Sequence, residues 1–243
     1  MVQFRAGIIG KWLLWLCIVA GPLCVQAASK DDPLAFDRQN YKQALDALGE
    51  RRWSEYRRLR SQLDDYPLAI YLDYYQLVRQ AHQVSPEDAV EFLERSASTA
   101  LPNRFLSTYL HQSGKRERWA NFLKVMPEEP NSVVLKCYHF RAQLDAGNKE
   151  VAWAGARKLW VNGRSQPDEC DPLFRAWERA GQLTDDIVWR RLLAAFDERQ
   201  KSLMRYVARK GSDQLQPWSD RLLQVYGNPR RLASINLPDG ERR

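Results

Sequence analysis

The chain has 243 residues, of which 44% are hydrophobic and 28% charged, and its formal net charge is +7. This length allows one large domain or two small ones, and the apolar content excludes an intrinsically disordered chain. The charge excludes an acidic, solvating protein and favours an anionic partner.

Residues 1–27 have the pattern of a secretory signal peptide. Arg5 and Lys11 form a basic start without acidic residues, and a short apolar run follows. Pro22 interrupts this run before it reaches the roughly 20 residues that span a bilayer. We therefore predict export to the periplasm, with cleavage after Ala27 and no stable membrane insertion afterwards. A retained membrane anchor is the alternative.

Removal of this segment changes the composition of the predicted mature chain. Its only charged residues are two basic ones, so the net charge falls from +7 to +5. Two of the four cysteines remain, in an oxidising compartment. We expect no nucleic-acid partner, because an exported protein seldom meets nucleic acid.

Apolar residues recur every three or four positions between residues 33 and about 227, which predicts amphipathic α-helices. The stretch 34–48 shows this stripe clearly. Helix starts are predicted where a capping residue precedes proline or acidic residues, as at Ser85-Pro86 and Thr184. Alternating strand patterns with hairpin turns are missing, so the sequence predicts an all-α fold.

A period close to that of tetratricopeptide repeats is visible in the glycines and tryptophans. Gly114, Gly147 and Gly181 lie 33 and 34 residues apart, and we interpret each as the end of an apolar helix ahead of another. Trp119 and Trp153 follow the first two glycines and are 34 residues apart. The pattern predicts degenerate helical hairpins.

Stacked hairpins of this kind form a solenoid, because a single hairpin cannot bury the apolar faces of both helices. We predict a right-handed α-superhelix over residues 28–227. Residues 228–243 lack the polar face of a capping repeat. We interpret them as an unfinished or truncated tail, and the superhelix as incomplete at its C-terminal end.

Two stretches resemble the N-terminal superhelical region of soluble lytic murein transglycosylases. The more specific is Trp153–Phe174, with Gly-Arg-Ser-Gln-Pro at 163–167 and Cys170-Asp after it. The other is Asp65–Tyr75, which reads Asp-Tyr-Pro-Leu-Ala-Ile-Tyr-Leu-Asp-Tyr-Tyr. Members of that family are exported and carry a ring- or U-shaped α-superhelix followed by a lysozyme-like domain. The resemblance implies this superhelix and a role in cell-wall turnover.

The enzymes of that family cleave the β-1,4 bond between N-acetylmuramic acid and N-acetylglucosamine and leave a 1,6-anhydro product. Their catalytic Glu stands in a Glu-Ser motif, whereas no Glu precedes a Ser in this chain. Ser202-Leu-Met-Arg205 also departs from the family's Gly-Leu-Met-Gln motif. No residue here inherits the catalytic role.

The resemblance therefore implies a non-catalytic part that positions glycan strands of peptidoglycan for a catalytic domain missing from this chain. The alternative is a stand-alone periplasmic helical-repeat module that binds proteins or cell wall without enzymatic activity.

Cys137 and Cys170 are the only cysteines of the predicted mature chain. The resemblance supports their pairing, and in an oxidising compartment we predict a structural disulfide. A redox pair would have Cys-x-x-Cys spacing, and a zinc site would need four ligands where only His139 lies near Cys137. We predict no metal and no cofactor.

Five residues are the candidate contacts to glycan. Tyr71, Tyr74 and Tyr75 form the least core-like aromatic cluster, because tyrosine keeps a polar end for a wet surface. Arg57 and Arg58 belong to a basic run that suits the carboxylates of peptidoglycan stem peptides.

The other chemistry-bearing residues are interpreted as structural. Tryptophans at helical and repeat spacing favour core packing over sugar stacking. Basic pairs such as Arg190-Arg191 are interpreted as solvated helix faces. Carboxylate pairs at helix ends and the histidines are given no catalytic role; they are Asp64-Asp65, Glu128-Glu129, Asp185-Asp186, His82, His111 and His139. The histidines are predicted to face solvent or to be satisfied within the structure.

Overall fold

The computed structural model describes residues 32–234, and every regular element in that range is helical. The predicted all-α fold is confirmed. The predicted signal peptide, residues 1–27, lies outside the described residues, as does the tail beyond residue 234.

Twelve α-helices and two short 3₁₀ segments follow one another in the described range. The helices are α1 Ala35–Gly49, α2 Trp53–Arg60, α3 Ala69–Arg79, α4 Pro86–Arg95, α5 Leu101–Lys115, α6 Trp119–Val125, α7 Val133–Asp145, α8 Lys149–Trp160, α9 Asp171–Arg179, α10 Asp185–Asp197, α11 Lys201–Ala208 and α12 Gln216–Gly227. The 3₁₀ segments are Asp168–Cys170 and Pro229–Ser234.

Two helix starts predicted from capping residues differ in whether the capping hydrogen bond forms. At α4 the Ser85 hydroxyl accepts a hydrogen bond from the Asp88 N–H at 3.0 Å, and Pro86 occupies the first turn. At α10 Thr184 has the extended backbone of a cap, but its side chain makes no capping bond. Asp185 instead places a carboxylate in the first turn, where the helix dipole favours it.

One type of turn recurs between helices. Within residues 32–234, five residues adopt left-handed backbone angles, with φ between 55° and 86°: Arg51, Glu117, Gly147, Gly181 and Arg199. In each case the next N–H donates to the carbonyl five positions earlier, as Asn148 does to Gln143 at 2.9 Å. This is the Schellman arrangement, which closes a helix and reverses the chain. It explains the hairpin period at Gly147 and Gly181.

The predicted helix end at Gly114 is confirmed in position, because α5 ends at Lys115, but Gly114 itself does not form the turn. The left-handed position of its turn belongs to Glu117, and Gly114 lies buried inside α5. A Cβ at Gly114 would lie 2.3 Å from Cδ2 of Tyr138, and one at Gly155 would lie 2.3 Å from Cδ1 of Phe140. Both glycines therefore make room for aromatic rings of α7, which packs between α5 and α8.

The core consists of three successive clusters along the stack. The first joins α1, α2 and α3, the second runs from α3 to α7, and the third from α7 to α12. Helix α7 serves two clusters, with Tyr138 in the second and Phe140 in the third. Trp160 and Trp177 are buried in the third cluster, which agrees with the prediction that tryptophans pack in the core. Across residues 32–234, no helix has the length and apolarity needed to cross a membrane.

Candidate functional site

A disulfide joins Cys137 of α7 to Cys170, directly ahead of α9, and the Cα atoms are 4.9 Å apart. Both cysteines are fully buried in the third core cluster. The bond ties α9 back to α7 across the intervening α8 hairpin. It thereby holds the segment 161–170, which belongs to the stretch that resembles the transglycosylases.

The predicted glycan contacts lie on two helices, Arg57 and Arg58 on α2 and the three tyrosines on α3. Both arginines are exposed and form no ion pair within residues 32–234. Tyr75 is exposed, and its ring centroid is 5.4 Å from that of Tyr74. The structure shows no contact between these tyrosines and arginines, so it brings the five together only as parts of neighbouring helices.

Two of the tyrosines are more deeply placed than predicted. Tyr71 and Tyr74 are half-buried and pack against the second core cluster. The Tyr74 ring stacks on Phe92 with a centroid distance of 6.5 Å. Both rings therefore already contact protein.

A paired cation network lies beside this surface. Arg60 donates to both oxygens of Asp73, at 2.7 Å and 2.9 Å, and Arg95 adds a contact of 3.1 Å to the same carboxylate. Hydrogen bonding to Asp73 raises the pKa of Arg60. Bidentate pairs of this kind are strong and geometrically specific. The network fastens α2 to α3 and to α4.

Each of the three carboxylate pairs has at least one member with a structural partner. Asp64 contacts Arg60 at 3.0 Å, and Asp185 accepts from the Ser212 N–H at 2.9 Å. Glu129 contacts Lys136 at 2.9 Å, and that hydrogen bond lowers the pKa of Glu129. A general acid needs a raised pKa, so Glu129 is unsuited to that role.

A groove of about 560 Å³ opens between α8, α9, α10 and α11. Six of its lining residues belong to the stretch that resembles the transglycosylases: Trp160, Ser165, Gln166, Asp168, Asp171 and Phe174. Helices α10 and α11 supply the opposite side with Arg191, Ser202 and Tyr206, and Lys210 joins them from the turn after α11. Aromatic, hydroxyl, amide and charged groups therefore converge in one place, as in small-ligand sites.

Arg191 is the least expected member of this groove. It is only 4% exposed, and its guanidinium carbon lies 4.5 Å from the ring centroid of Trp160. Within residues 32–234 it forms no ion pair and no hydrogen bond, and its Nε is buried without a partner. Burial lowers the pKa of Arg191 to about 10. At neutral pH the group therefore remains a cation removed from water.

The other cations of the groove are neutralised by neighbours. Lys210 donates to both carboxylate oxygens of Glu178 at 2.8 Å, and Arg175 lies 3.8 Å from Asp171. Asp168 is exposed and forms no ion pair with Arg191. The groove thus holds one buried positive charge with free donors.

The interpretation of Arg190-Arg191 as a solvated face holds for Arg190 and is wrong for Arg191. Arg190 is exposed and pairs with Asp186 at 3.0 Å. Arg191 lies on the apolar face of α10 with Val188 and Leu192, which are fully buried. Its position three residues after a valine in the stripe was the signal that could have found it.

The prediction that every histidine faces solvent or is satisfied holds only in part for His139, whose Nε2 lies 3.4 Å from the side-chain nitrogen of Gln143. The residue is 3% exposed, and its Nδ1 is buried without a hydrogen-bond partner. Burial lowers the pKa of His139, so the ring stays neutral at pH 7. Within the described part of the chain, no three His, Cys, Asp or Glu side chains come together as a metal site would require.

Fold and groove together define this chain as a disulfide-braced, α-superhelical hairpin-repeat protein. No family model matches it. It is 29% identical over 233 residues to the soluble lytic murein transglycosylase of Escherichia coli K12, which covers 95% of this chain and 36% of that protein. The Salmonella typhimurium protein of the same name is 32% identical over 169 residues, 68% of this chain and 26% of that protein.

Solved structures give the same result. The 70-kDa soluble lytic transglycosylase of Escherichia coli matches with a TM-score of 0.69 and 26% identity, over 84% of this chain and 33% of that one. An inactive mutant of lytic transglycosylase Slt from Pseudomonas aeruginosa matches with a TM-score of 0.66 and 32% sequence identity. The match covers 81% of this chain and 32% of that one. The resemblance to soluble lytic murein transglycosylases is confirmed. The chain spans about a third of the length of these relatives.

Proposed function

We propose that this chain is the non-catalytic superhelical part of a periplasmic lytic transglycosylase, and that it positions glycan strands of peptidoglycan for cleavage. The observation that carries the proposal is the likeness to the 70-kDa soluble lytic transglycosylase over 84% of the chain. The Glu-Ser and Gly-Leu-Met-Gln motifs do not occur in the sequence, which supports a role in binding rather than chemistry.

The binding surface proposed for glycan strands is formed by Arg57 and Arg58 on α2 and by the tyrosines of α3. Exposed arginines without ion pairs are free to meet carboxylates of the cell wall. Exposed charges are screened by salt, because the Debye length falls from about 10 Å at 0.1 M to about 3 Å at 1 M. Binding through this surface is therefore salt-dependent.

The test is sedimentation of the purified chain with murein sacculi at low and high salt. We expect the protein to pellet with sacculi at low salt and to be released at high salt. The double variant Arg57→Glu/Arg58→Glu should strongly reduce pelleting. Arg104→Glu/Arg205→Glu is the matched control, because it changes the charge equally at two exposed arginines on α5 and α11.

Equal loss of pelleting in both double variants, or binding that high salt leaves unchanged, would refute this surface. The supernatants of the same experiment also test the absence of chemistry. Released 1,6-anhydro-muropeptides would show that the chain is catalytic by itself and would overturn the non-catalytic role.

A further inference from the structure

We propose that the groove over Arg191 is a binding site for a carboxylate, carried by a sugar or by a peptide terminus of the cell wall. The inference deepens the proposed function by naming a ligand group and a second place of contact. It rests on the unpaired buried guanidinium and on the groups that surround it.

The buried guanidinium of Arg191 lacks the partner that such a group normally has. A charged group that is 4% exposed is costly in free energy unless it is paired, and Arg60 shows how this chain pairs one. Arg191 has only the face of Trp160, at 4.5 Å. A cation–π contact satisfies the flat side of the guanidinium and leaves its edge donors without a protein partner. Those donors match the two oxygens of a carboxylate in a bidentate geometry.

The walls of the groove suit a small polar ligand with an apolar side. Ser165, Gln166 and Ser202 offer hydroxyl and amide groups. Phe174 is half-buried and Tyr206 is 44% exposed, so their rings provide surfaces for the apolar side of a sugar or peptide. The volume of about 560 Å³ is in the range of small-ligand sites.

The groove is also held in shape from three sides. The disulfide fixes Cys170, immediately before α9. Gly163 brings the preceding loop against α10, where a Cβ would lie 2.5 Å from the carbonyl oxygen of Ala194. The Lys210–Glu178 ion pair links α9 to the turn after α11. A preformed site loses less free energy to ordering when a ligand binds.

The experiment is a calorimetric titration of the purified chain with two matched pairs of probes. The first pair is N-acetylmuramic acid and N-acetylglucosamine, which differ by the lactyl group and its carboxylate. The second is an N-acetylated alanine dipeptide with a free carboxylate and the same dipeptide as its amide. We expect saturable binding of at least one acid and none of its neutral counterpart.

The pattern of binding identifies the source of the carboxylate. Binding of the muramic acid alone assigns a sugar carboxylate, binding of the peptide acid alone assigns a peptide terminus, and binding of both assigns the carboxylate itself. Binding of neither acid, or equal binding of acid and neutral probe, overturns the proposal.

Two variants test the role of Arg191. Arg191→Met should weaken binding of the acid about tenfold or more, because charge-assisted hydrogen bonds are lost. Ser202→Glu adds a negative charge to the groove from an exposed position and should weaken it likewise, even if Arg191→Met fails to fold. Ser107→Glu, at an exposed serine of α5, is the matched control and should bind as the parent does. Unchanged affinity in Ser202→Glu would contradict the proposal.

The two proposals fail separately. Pelleting with sacculi without any carboxylate binding would refute the groove alone. Carboxylate binding without pelleting would refute the glycan-positioning role alone.

Discussion

The α2–α3 region and the α8–α11 region each remove an arginine from water, and they treat it differently. Arg60 is 19% exposed at its side chain and meets Asp73, which is 13% exposed, through two hydrogen bonds. Arg191 is 4% exposed and has an aromatic face but no carboxylate. The first arrangement is complete within the protein, whereas the second leaves donors for a partner. Arg60 is therefore a structural cation, whereas Arg191 is the cation proposed to bind a ligand.

The regions also differ in how they are held together. The α2–α3 region relies on the Arg60–Asp73 pair and a tyrosine-rich cluster in which Tyr41 and Tyr66 have ring centroids 5.5 Å apart. The α8–α11 region is braced by the Cys137–Cys170 bond. Covalent bracing therefore adds to ion pairing around the groove, whereas the α2–α3 region has ion pairing alone.

Removal of the disulfide should have the largest effect. Cys137→Ala/Cys170→Ala opens a loop with a sequence separation of 33 residues. We expect the free energy of unfolding to fall by about 3–4 kcal/mol, because the unfolded chain gains the entropy of the open loop. Chemical denaturation measures the total. Hydrogen exchange should show the loss of protection in α7–α11 and little change in α1–α3.

Reductant is the control for that experiment. It should destabilise the parent chain and leave the double variant unaffected. If protection falls equally in both regions, the disulfide stabilises all the hairpins. The α2–α3 and α8–α11 regions would then not differ in how they are held together.

The second prediction compares the two arginines directly. Asp73→Asn leaves Arg60 with a weaker partner and should lower the free energy of unfolding by about 2 kcal/mol, the size of a charged hydrogen bond. Arg191→Met should change it by less than about 1 kcal/mol, since the lost cation–π contact is offset by removal of an unpaired buried charge. Urea denaturation of both variants measures the difference.

Asp64→Asn is the matched control for the first variant. Asp64 contacts the same Arg60 but is 78% exposed, so its loss should cost less than about 0.5 kcal/mol. A larger cost for Arg191→Met than for Asp73→Asn would show that Arg191 is structurally required, and would remove the distinction between the two cations.

The smallest expected effect is a dependence on pH from His139, which lies on α7 between the two regions. Burial lowers its folded pKa below the ordinary value of 6.5. Below pH 6.5 the unfolded chain therefore binds a proton that the folded chain resists, and stability falls as the pH is lowered. The free energy of unfolding changes through this group by at most about 1.4 kcal/mol per pH unit.

Denaturation midpoints between pH 7 and pH 5 measure this slope. His139→Gln should flatten it, whereas His111→Gln, at a half-buried histidine of α5, should leave it in place. An identical slope in the parent chain and in His139→Gln would assign the dependence to other groups.

Particular residues show how far sequence reasoning reached at the turns. Gly147 and Gly181 were interpreted correctly because a left-handed position favours glycine, which has no Cβ. The same position is occupied by Arg51 and Glu117 in other hairpins, where packing of the flanking helices overrides the local preference. Gly114 lies one residue before the end of its helix but serves close packing instead of the turn, and only the Tyr138 ring distinguishes the two uses.

The groove around Arg191 could likewise be predicted only in part from the sequence. The stripe of α10 indicates from spacing alone that Arg191 points to the core side. The lack of a carboxylate opposite it depends on what α8, α9 and α11 bring to that point. No single segment contains that information.

The sequence by itself determined the helices, the hairpin period and the resemblance to soluble lytic murein transglycosylases. Each of these depends on the spacing of residues within about one repeat, because neighbours in the chain determine the local conformation. The tertiary structure decided which glycines receive rings, that Tyr71 and Tyr74 are half-buried, and that Arg191 is unpaired while Arg60 is paired. The reason is that burial and pairing arise between helices far apart in the chain, whose side chains meet only when the hairpins stack.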